Sequence, residues 1–538
     1  MDRSADATAD PPGEPGPQRG RILLPRGGAL AIVLPFFLLT AVLFCYNVGH
    51  HFFLGDDCFI SFRYARHLAA GQGLVWNPGE RVEGYTNFLW VILMAGVLRL
   101  GGKPEVFSNL LGIASGAVLL AALVFDTARR IGWRSPFVWL APLALAAGRS
   151  FTAWCTGGLE TMLFTLLVFA ASVAFVRERE TGSSLPILSS ILFALATLTR
   201  PEGALFAGIA GLFFLGDLLA RRRSVRSALI WAFPYVDVVA AHVVWRYTYY
   251  GAWLPNTFYA KVAGAWWEQG LRYIRLFAED YRIVWFLPLL FLPLLRRERF
   301  APALYLFMLG GYLAYLAFIG GDRFEYRFLV VVMPFFYLLV GDGLRWIPGP
   351  RLVRGALAGA AAVALLGTTY LAAQAPDPGR EHSGVASLRD IKAYAERRAA
   401  EGRFLRGLID DGSLPPDLVL CVGGAGAVPY YTDWPTVDRR GINDATIARL
   451  PLKERGVVGH EHDAPYEYLR DRRVVMFDVF NGIVHERGES QGFPDAMRHD
   501  DRLLPVRVVA AGGHELLFST FLPEQDFRRT FARLEIVR

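Results

Sequence analysis

The chain has 538 residues, 53% of them hydrophobic and 20% charged, with a formal net charge of +7 and a mean hydropathy of +0.31. A water-soluble protein of this length carries more charge. The apolar residues here gather in blocks of about 20, the length that crosses a bilayer, which excludes a purely soluble protein. The positive excess is arginine at the ends of those blocks. That is membrane-topology charge, not the basic footprint of nucleic-acid binding, so no nucleic-acid partner is expected.

Met1 to Gly20 is rich in Pro, Gly, Asp and Ala and reads as disordered. It has no signal-peptide cleavage pattern, and the block from Gly28 to Val48 is too long for a signal h-region, so it is expected to stay as an anchor. Apolar blocks follow at 28–49, 85–100, 106–127, 135–150, 160–176, 184–199, 202–220, 227–248, 280–295, 300–319, 326–345 and 352–373. If all of them cross, Arg129, Arg130 and Arg134 fall outside. If 85–100, which is short and broken by Gly96 and Gly101, does not cross, the register closes. Clustered arginine then falls on one side, at Arg19–Arg26, Arg129–Arg134, Arg177–Arg179, Arg221–Arg226, Arg296–Arg299 and Arg345–Arg354, as the positive-inside rule requires. The fold class expected is therefore a polytopic all-α membrane protein with about eleven transmembrane helices and a C-terminal soluble α/β domain. Its parts are a disordered cytoplasmic N-terminus over 1–26, a transmembrane domain over 27–374 and an extracytoplasmic domain over 375–538.

In the last of these, Ser387 to Leu408 has an amphipathic helical pattern, "DLVLCVGG" and "VVMFDVF" read as buried strands, "HDAPYEYLRDRR" as a helix and "LPVRVVAAGGHELLFSTFL" as a hairpin. Strands alternating with helices indicate an α/β layer. The "GGAGA" after the first strand is not a GxGxxG, so no dinucleotide site is expected. Cys45, Cys58, Cys155 and Cys421 show no metal-ligand spacing; Cys58 and Cys155, both assigned outside the membrane, are the one pair placed to bridge.

The outer loops in this topology collect the unusual polar stretches. Asp56 and Asp57 stand against the end of the first span. Carboxylates there are costly to bury. One of them can serve as a general base or hold a divalent cation at a phosphate; the alternative is a helix N-cap for "CFISFRYARHLAA", with Asp57 at the cap. Arg63, Arg66 and His67 share a face of that helix and suit either a lipid phosphate or headgroup snorkelling. "WNPGERVEGYTN" crowds Glu80, Arg81, Glu83, Tyr85 and Asn87 at a turn, the mixture of hydrogen-bonding and aromatic groups that lines carbohydrate. Glu160 opens a span, where a first-turn acid also suits the dipole. Arg200 and Glu202 flank a proline; Asn256, Tyr259 and Lys261 lie in "PNTFYAK"; Asp322, Arg323, Glu325 and Arg327 lie in "GGDRFEYRFL". Arginines suit bidentate phosphate recognition. Acids, cations and aromatics on one side of a bundle are what transfer from a lipid-linked phosphosugar needs.

"DDCFISFRYARHLAAGQGLVWNPGERVEGYTNFLW" closely resembles the first-loop signature of the mycobacterial terminal β-(1→2)-arabinofuranosyltransferase family and its wider bacterial relatives. "TGGLET", "TRPEG", "YYGAWLPNTFYAK", "GGDRFEYRFLVVVMP", "GGAGAVPYYTDWPTVDRRGINDATIARL" and "GHEHDAPYEYL" resemble that family's blocks in the same order, over about residues 50–470. The first loop also resembles, more loosely, lipid A aminoarabinose transferases and oligosaccharyltransferase catalytic subunits. The resemblance implies a GT-C fold with juxtamembrane helices in the first outer loop, in the bacterial inner membrane. It implies a polyprenyl-phosphate sugar donor, with arabinofuranose or another pentose as the sugar, and a cell-envelope glycan or glycolipid as acceptor. Arg323, Phe324 and Glu325 depart from the Trp-Met-Pro of relatives, which bears on donor identity more than on reaction class.

The expected activity is thus a polyprenyl-phosphate-dependent glycosyltransferase. Asp56 or Asp57 is the candidate base, and Arg200, Lys261, Arg323 and Arg327 are the candidate phosphate-binding cations. Glu83, Tyr85, Asn87, Glu160, Glu202, Asn256, Tyr259 and Asp322 are candidates for holding sugar or acceptor. No cofactor is required, with Mg or Mn as the optional divalent cation. A lipid-linked sugar transporter and a non-catalytic envelope or flagellar-motor scaffold are the alternatives. A transporter predicts internal repeats, of which none is seen, and polar mid-membrane groups, whereas the spans carry few charges at their centres; a scaffold predicts dispensable acidic loops. Replacing Asp56 and Asp57 one at a time by Ala is expected to abolish sugar transfer in at least one variant; full activity in both would remove the base from this loop.

Overall fold

The computed structural model describes residues 30–261, 264–295, 299–374, 384–452, 459, 461–478, 482–487, 504–510 and 513–537. The disorder and leader expectations for the N-terminus, and the expected junction at 375, lie outside them.

Among the described residues, six helices are long and apolar enough to cross a membrane: Leu30–His50, Pro104–Ile131, Thr161–Glu180, Val225–Tyr250, Phe300–Ile319 and Arg351–Gln374. Their ends follow local chemistry. Pro104–Ile131 starts with proline in its first turn followed by Glu105, ends with Arg129 and Arg130, and stops at Gly132 with φ +82°, each favourable at that terminus. The helix expected not to cross is Phe88–Arg99, whose 12 residues reach only about 18 Å. Shorter apolar helices Leu188–Thr199, Gly203–Leu219 and Met333–Leu344 stand at other expected spans.

Three expected spans are broken. Block 135–150 is a 3-10 turn Pro136–Val138, a helix Leu140–Ala147, an extended Gly148 and a short helix Arg149–Ala153. Block 280–295 is 3-10 helix around Pro288 and Pro293. Block 326–345 begins as 3-10 helix Arg327–Val331 before Met333–Leu344, which carries Pro334 in its first turn. Proline removes the N–H that the α-helical ladder needs.

The C-terminal region carries the expected α/β layer. Helix Leu388–Asp410 is capped by Ser387, whose Oγ accepts from the Asp390 N–H at 3.1 Å. Strands β1 (Leu420–Val422), β2 (Thr436–Asp438), β3 (Met476–Phe477), β4 (Val484–Glu486), β5 (Leu504–Val509), β6 (His514–Thr520) and β7 (Glu535–Val537) form one sheet. The order is β2-β1-β3-β6-β5-β7, with β4 also on β6. β1 runs parallel to β2 and β3, and the other pairings are antiparallel, β5 and β6 forming the predicted hairpin. Behind it, Arg398 has no exposed side chain and meets Glu401 at 2.7 Å and Asp478 at 3.1 Å.

This region sits directly on the first loop, and the docking corrects the expectation for helix Cys58–Ala69. Arg63 faces no lipid phosphate. It is fully buried and donates to the carbonyls of Trp76 (2.7 Å), Pro429 and Trp434 (2.8 Å). Arg66 donates to Tyr430 O and Asp433 Oδ1, both at 2.7 Å. His67 lies between Val75 O (2.9 Å) and Asp433 Oδ1 (3.3 Å). Asn77 pairs with Thr436 through both its amide groups, and Glu80 meets Arg472. The four cysteines are free thiols; Cys58 and Cys155 do not bridge, each donating instead to a nearby carbonyl.

Gly426 shows how close this contact is. A Cβ there would lie 2.1 Å from the Asp56 carbonyl oxygen and 2.5 Å from its carboxyl carbon. Gly426→Ala is therefore expected to cost about 1–3 kcal/mol of stability, read as a lowered Tm of the detergent-solubilised protein; an unchanged Tm would mean the contact is loose.

Candidate active site

One cavity of about 270 Å³ opens where the first loop, the polar ends of the helices and the C-terminal region meet. Asp57, Ile60 and Ser61 reach it from helix Cys58–Ala69 and its N-cap, successive positions of one helical face. Tyr85 and Asn87 come from the next turn, and Glu160, Arg200 and Glu202 from the starts of two membrane helices. Lys261 ends the short helix Asn256–Lys261, and Asp322, Arg323 and Arg327 follow helix Phe300–Ile319. Leu254, Phe258, Tyr315, Ile319 and Phe328 make an apolar lip, with Leu254 41% and Phe258 40% exposed.

The adjacent aspartates part company here. Asp57 occupies the N-cap position yet makes no capping hydrogen bond. Its Oδ1 instead accepts from Arg323 Nη2 at 2.8 Å, the two side chains being 21% and 26% exposed. Burial alone would push this carboxyl up; Arg323, Lys261 and Arg327 outweigh it and hold it below the usual carboxylate range. Asp56 does not line the cavity. Its Oδ1 accepts from the Ala427 N–H at 2.9 Å, at the start of helix Ala427–Thr432, and burial raises its pKa against the pull of Arg398.

The other charges are mostly matched. Arg200 lies between Glu160 (Nη1 to Oε1, 2.6 Å) and Glu202 (Nη2 to Oε1, 2.8 Å), with its face on the Phe328 ring at 4.5 Å. Asn87 donates to the second Glu160 oxygen at 2.7 Å. Arg327 donates to Asp322 at 2.7 Å and packs against Trp154, Phe324 and Phe328. Lys261 has no ion-pair partner within 4.0 Å among the described residues. Burial lowers its pKa, partly offset by Asp57.

Besides Asp56, three sequence candidates stand outside the cavity wall. Glu83 pairs with Arg246 at 2.7 Å, and burial raises its carboxyl to about 7 against that pull. Asn256 spends its amide on the carbonyls of Gly441 (2.8 Å), Ile442 (2.9 Å) and Asp444 (3.3 Å). Tyr259 lies under Arg449 at 4.4 Å. Each was chosen for its chemistry, but tertiary partners take it up. Conversely, Ser61, Thr86 and Ile442 line the cavity without having been singled out. Ser61 was legible as i+4 from Asp57; Ile442 had no local signal, because a loop of the C-terminal region delivers it.

The residues present do not fit a resident Mg or Mn. Each lining carboxylate is committed to an arginine, and among the described residues no three His, Cys, Asp or Glu side chains lie together as a ligand set. Removing Arg200 leaves Glu160 and Glu202 buried with no cation between them, so Arg200→Ala is expected to cost about 3–5 kcal/mol, measured by chemical or thermal unfolding. A loss below about 1 kcal/mol, the range of exposed pairs, would show the cluster to be solvated.

Known proteins resemble this chain in sequence and in overall fold. Residues 389–516 match a family described as "Domain of unknown function (DUF8728)". The terminal β-(1→2)-arabinofuranosyltransferase of Mycobacterium tuberculosis is 29% identical over 420 residues, 67% of this chain and 65% of that protein. Its namesake from Corynebacterium glutamicum is 32% identical over 269 residues, 46% of this chain and 38% of that protein. The chain thus spans just under two thirds of the first relative and well under half of the second. Among solved structures, apo ArnT from Cupriavidus metallidurans superposes with a TM-score of 0.52 at 15% identity, covering 92% of this chain and 98% of that one. The same protein bound to undecaprenyl phosphate gives 0.50 at 14%, covering 91% and 98%. The chain is a multi-pass membrane protein with the fold of ArnT, and its sequence is similar to those of the terminal β-(1→2)-arabinofuranosyltransferases.

Proposed function

We propose that the chain is a membrane glycosyltransferase that moves a sugar, arabinofuranose or another pentose, from a polyprenyl-phosphate donor to a cell-envelope glycan or glycolipid. The observation that carries this reading is Asp57: a carboxylate in the cavity wall, paired with Arg323 beneath an apolar lip, with Arg323, Lys261 and Arg327 holding it below the usual carboxylate range. The lip suits a prenyl chain, the cations suit its phosphate, and the carboxylate suits the acceptor's proton. The similar proteins, arabinofuranosyltransferases and an ArnT bound to undecaprenyl phosphate, support the same classes of donor and reaction.

In the proposed reaction, Asp57 takes the proton of the acceptor hydroxyl as its oxygen bonds to the anomeric carbon. The bond from that carbon to the phosphate oxygen breaks, and the electron pair leaves with the polyprenyl phosphate. The Glu160–Arg200–Glu202 cluster, with Asn87, Tyr85 and Asp322, offers hydrogen-bonding groups to the sugar. Asp56, held by the Ala427 N–H, positions the loop and does not act as the base.

Full-length protein in lipid nanodiscs, given a panel of polyprenyl-phosphate pentoses and hexoses, is expected to release polyprenyl phosphate with a pentose donor, with chelator present or absent. Asp57→Asn is expected to lose about 10²–10⁴-fold, and Asp56→Asn distinctly less. Release from no donor, despite tight binding of one, would move the assignment to a transporter or scaffold.

We also place the cavity on the extracytoplasmic face of a bacterial inner membrane. Glu160 and Glu202 stand at the starts of helices Thr161–Glu180 and Gly203–Leu219. The other ends carry an ion network, Arg129 with Glu180, Arg130 with Asp126 and Asp342, and Arg179 with Asp217. A 20-residue helix separates the two sets by about 30 Å. The arginine-rich set fits the cytoplasmic side. An alkaline phosphatase fused after residue 538 is expected to be active and one fused at residue 182 inactive; the reverse pattern would invert the topology.

A further inference from the structure

The cavity holds matched charges with one cation over. Asp57 is paired with Arg323, Glu160 and Glu202 share Arg200, and Asp322 takes Arg327. Lys261 has no ion-pair partner among the described residues. A phosphodiester donor carries one negative charge, which Lys261 can hold while every other pair stays intact. The product is different, since a phosphate monoester carries about −1.5 to −2 at neutral pH. A second cation is needed as the bond to the sugar breaks.

The same event creates one. The acceptor's proton goes to Asp57, whose carboxyl becomes neutral. The acceptor oxygen bonds to the anomeric carbon, and the electron pair of the broken bond stays on the phosphate oxygen. One negative charge disappears at Asp57 while one appears on the phosphate, and Arg323 lines the cavity beside Asp57. Its guanidinium has five N–H donors in a fixed fork, so it can engage phosphate before Asp57 lets go. The neighbouring Arg327 is less suited: it is held by Asp322 and packed among Trp154, Phe324 and Phe328, whereas Arg323 stacks on Phe324 alone, at 4.3 Å. Arg323 is anchored from behind by its carbonyl, which accepts the Ala386 N–H at 2.7 Å.

We propose that Arg323 is a catalytic residue handed over during the reaction: it pairs with Asp57 in the resting site and with the leaving phosphate in the transition state, while Lys261 holds the donor phosphate throughout. This rests on the glycosyltransferase reading. It separates two cations that look equivalent in the cavity wall. Lys261 contributes equally to ground and transition states, whereas Arg323 contributes mainly to the transition state, the kind of interaction that raises kcat.

The test is a comparison of kcat and KM in nanodiscs, with decaprenyl-phosphoryl-arabinofuranose as donor and an arabinofuranosyl oligosaccharide as acceptor. Arg323→Gln is expected to lower kcat by about 100-fold or more, as loss of one transition-state donor does, with donor KM within about threefold. Lys261→Gln is expected to raise donor KM by more than about tenfold with a smaller change in kcat. Arg323→Lys, which restores charge without the fork, is expected to recover part of kcat; its Tm and that of Arg323→Gln check folding. A second arm needs no turnover. Arg323→Gln is expected to weaken binding of undecaprenyl phosphate at least about tenfold more than binding of its methyl diester.

If the wild type transfers but Arg323→Gln keeps kcat, or loses efficiency through KM alone, the handover is wrong and the transferase reading stands. The handover is equally wrong if Arg323→Gln weakens monoester and diester alike. If the wild type transfers from no donor, both fall together.

Discussion

A guanidinium without exposed surface holds the two parts of this molecule in register. Arg63 rises from the first-loop helix and gives its N–H groups to Trp76 O and Asn77 Oδ1 on its own side and to Pro429 O and Trp434 O on the other. These partners are all neutral oxygens. A buried cation is tolerated only when such donors are satisfied, so the geometry of both loops is fixed by the need to satisfy it. The stacking of Arg63 on Trp76 at 4.8 Å and the outward pair Arg66–Asp433 extend the same seam.

That seam gives the aspartate pair its meaning. Asp57 has helical φ and ψ of −60° and −24°, and consecutive positions at a helix start differ in direction by about 100°. One carboxylate must therefore point away from the other. With the C-terminal region docked, Asp56 meets the Ala427 N–H and fits the space left by Gly424 and Gly426, while Asp57 faces the cavity. In the glycine-rich stretch after β1, the close approach of Asp56 requires Gly426, while a Cβ at Gly424 would meet the Tyr394 hydroxyl.

Within the cavity, charge matching sorts residues that composition groups together. Arg200 is neutralised by two carboxylates and stacked on Phe328, so it shapes the wall. Lys261 has no carboxylate within ion-pair distance among the described residues, whereas Arg323 is held by Asp57, and the proposed handover rests on that difference together with the guanidinium fork. The apolar lip adds the remaining asymmetry, since Leu254 and Phe258 line the same cavity as these cations, as the proposed prenyl-phosphate donor requires.

The sequence by itself determined the membrane class, the position of most of the long apolar helices, the α/β character of the C-terminal region and the cluster of loops that carries the site; it gave no sign of helices such as Trp267–Asp280 and Ala427–Thr432. What it determined follows from local quantities: apolar run length, arginine at block ends, proline and glycine punctuation, and strand alternation. It also held Asp57, Arg323 and Lys261 among its candidates, because charged residues beside a membrane are costly and therefore conspicuous. Only the tertiary structure decided which aspartate faces the cavity, that Arg63, Arg66 and His67 bind protein and not lipid, that Asn256 and Tyr259 serve the interface, and that Ile442 closes the wall. Each of those outcomes depends on a partner far away in the chain. The hydrogen-bonding capacity of a side chain is written in its residue type, but which group satisfies it is set by packing.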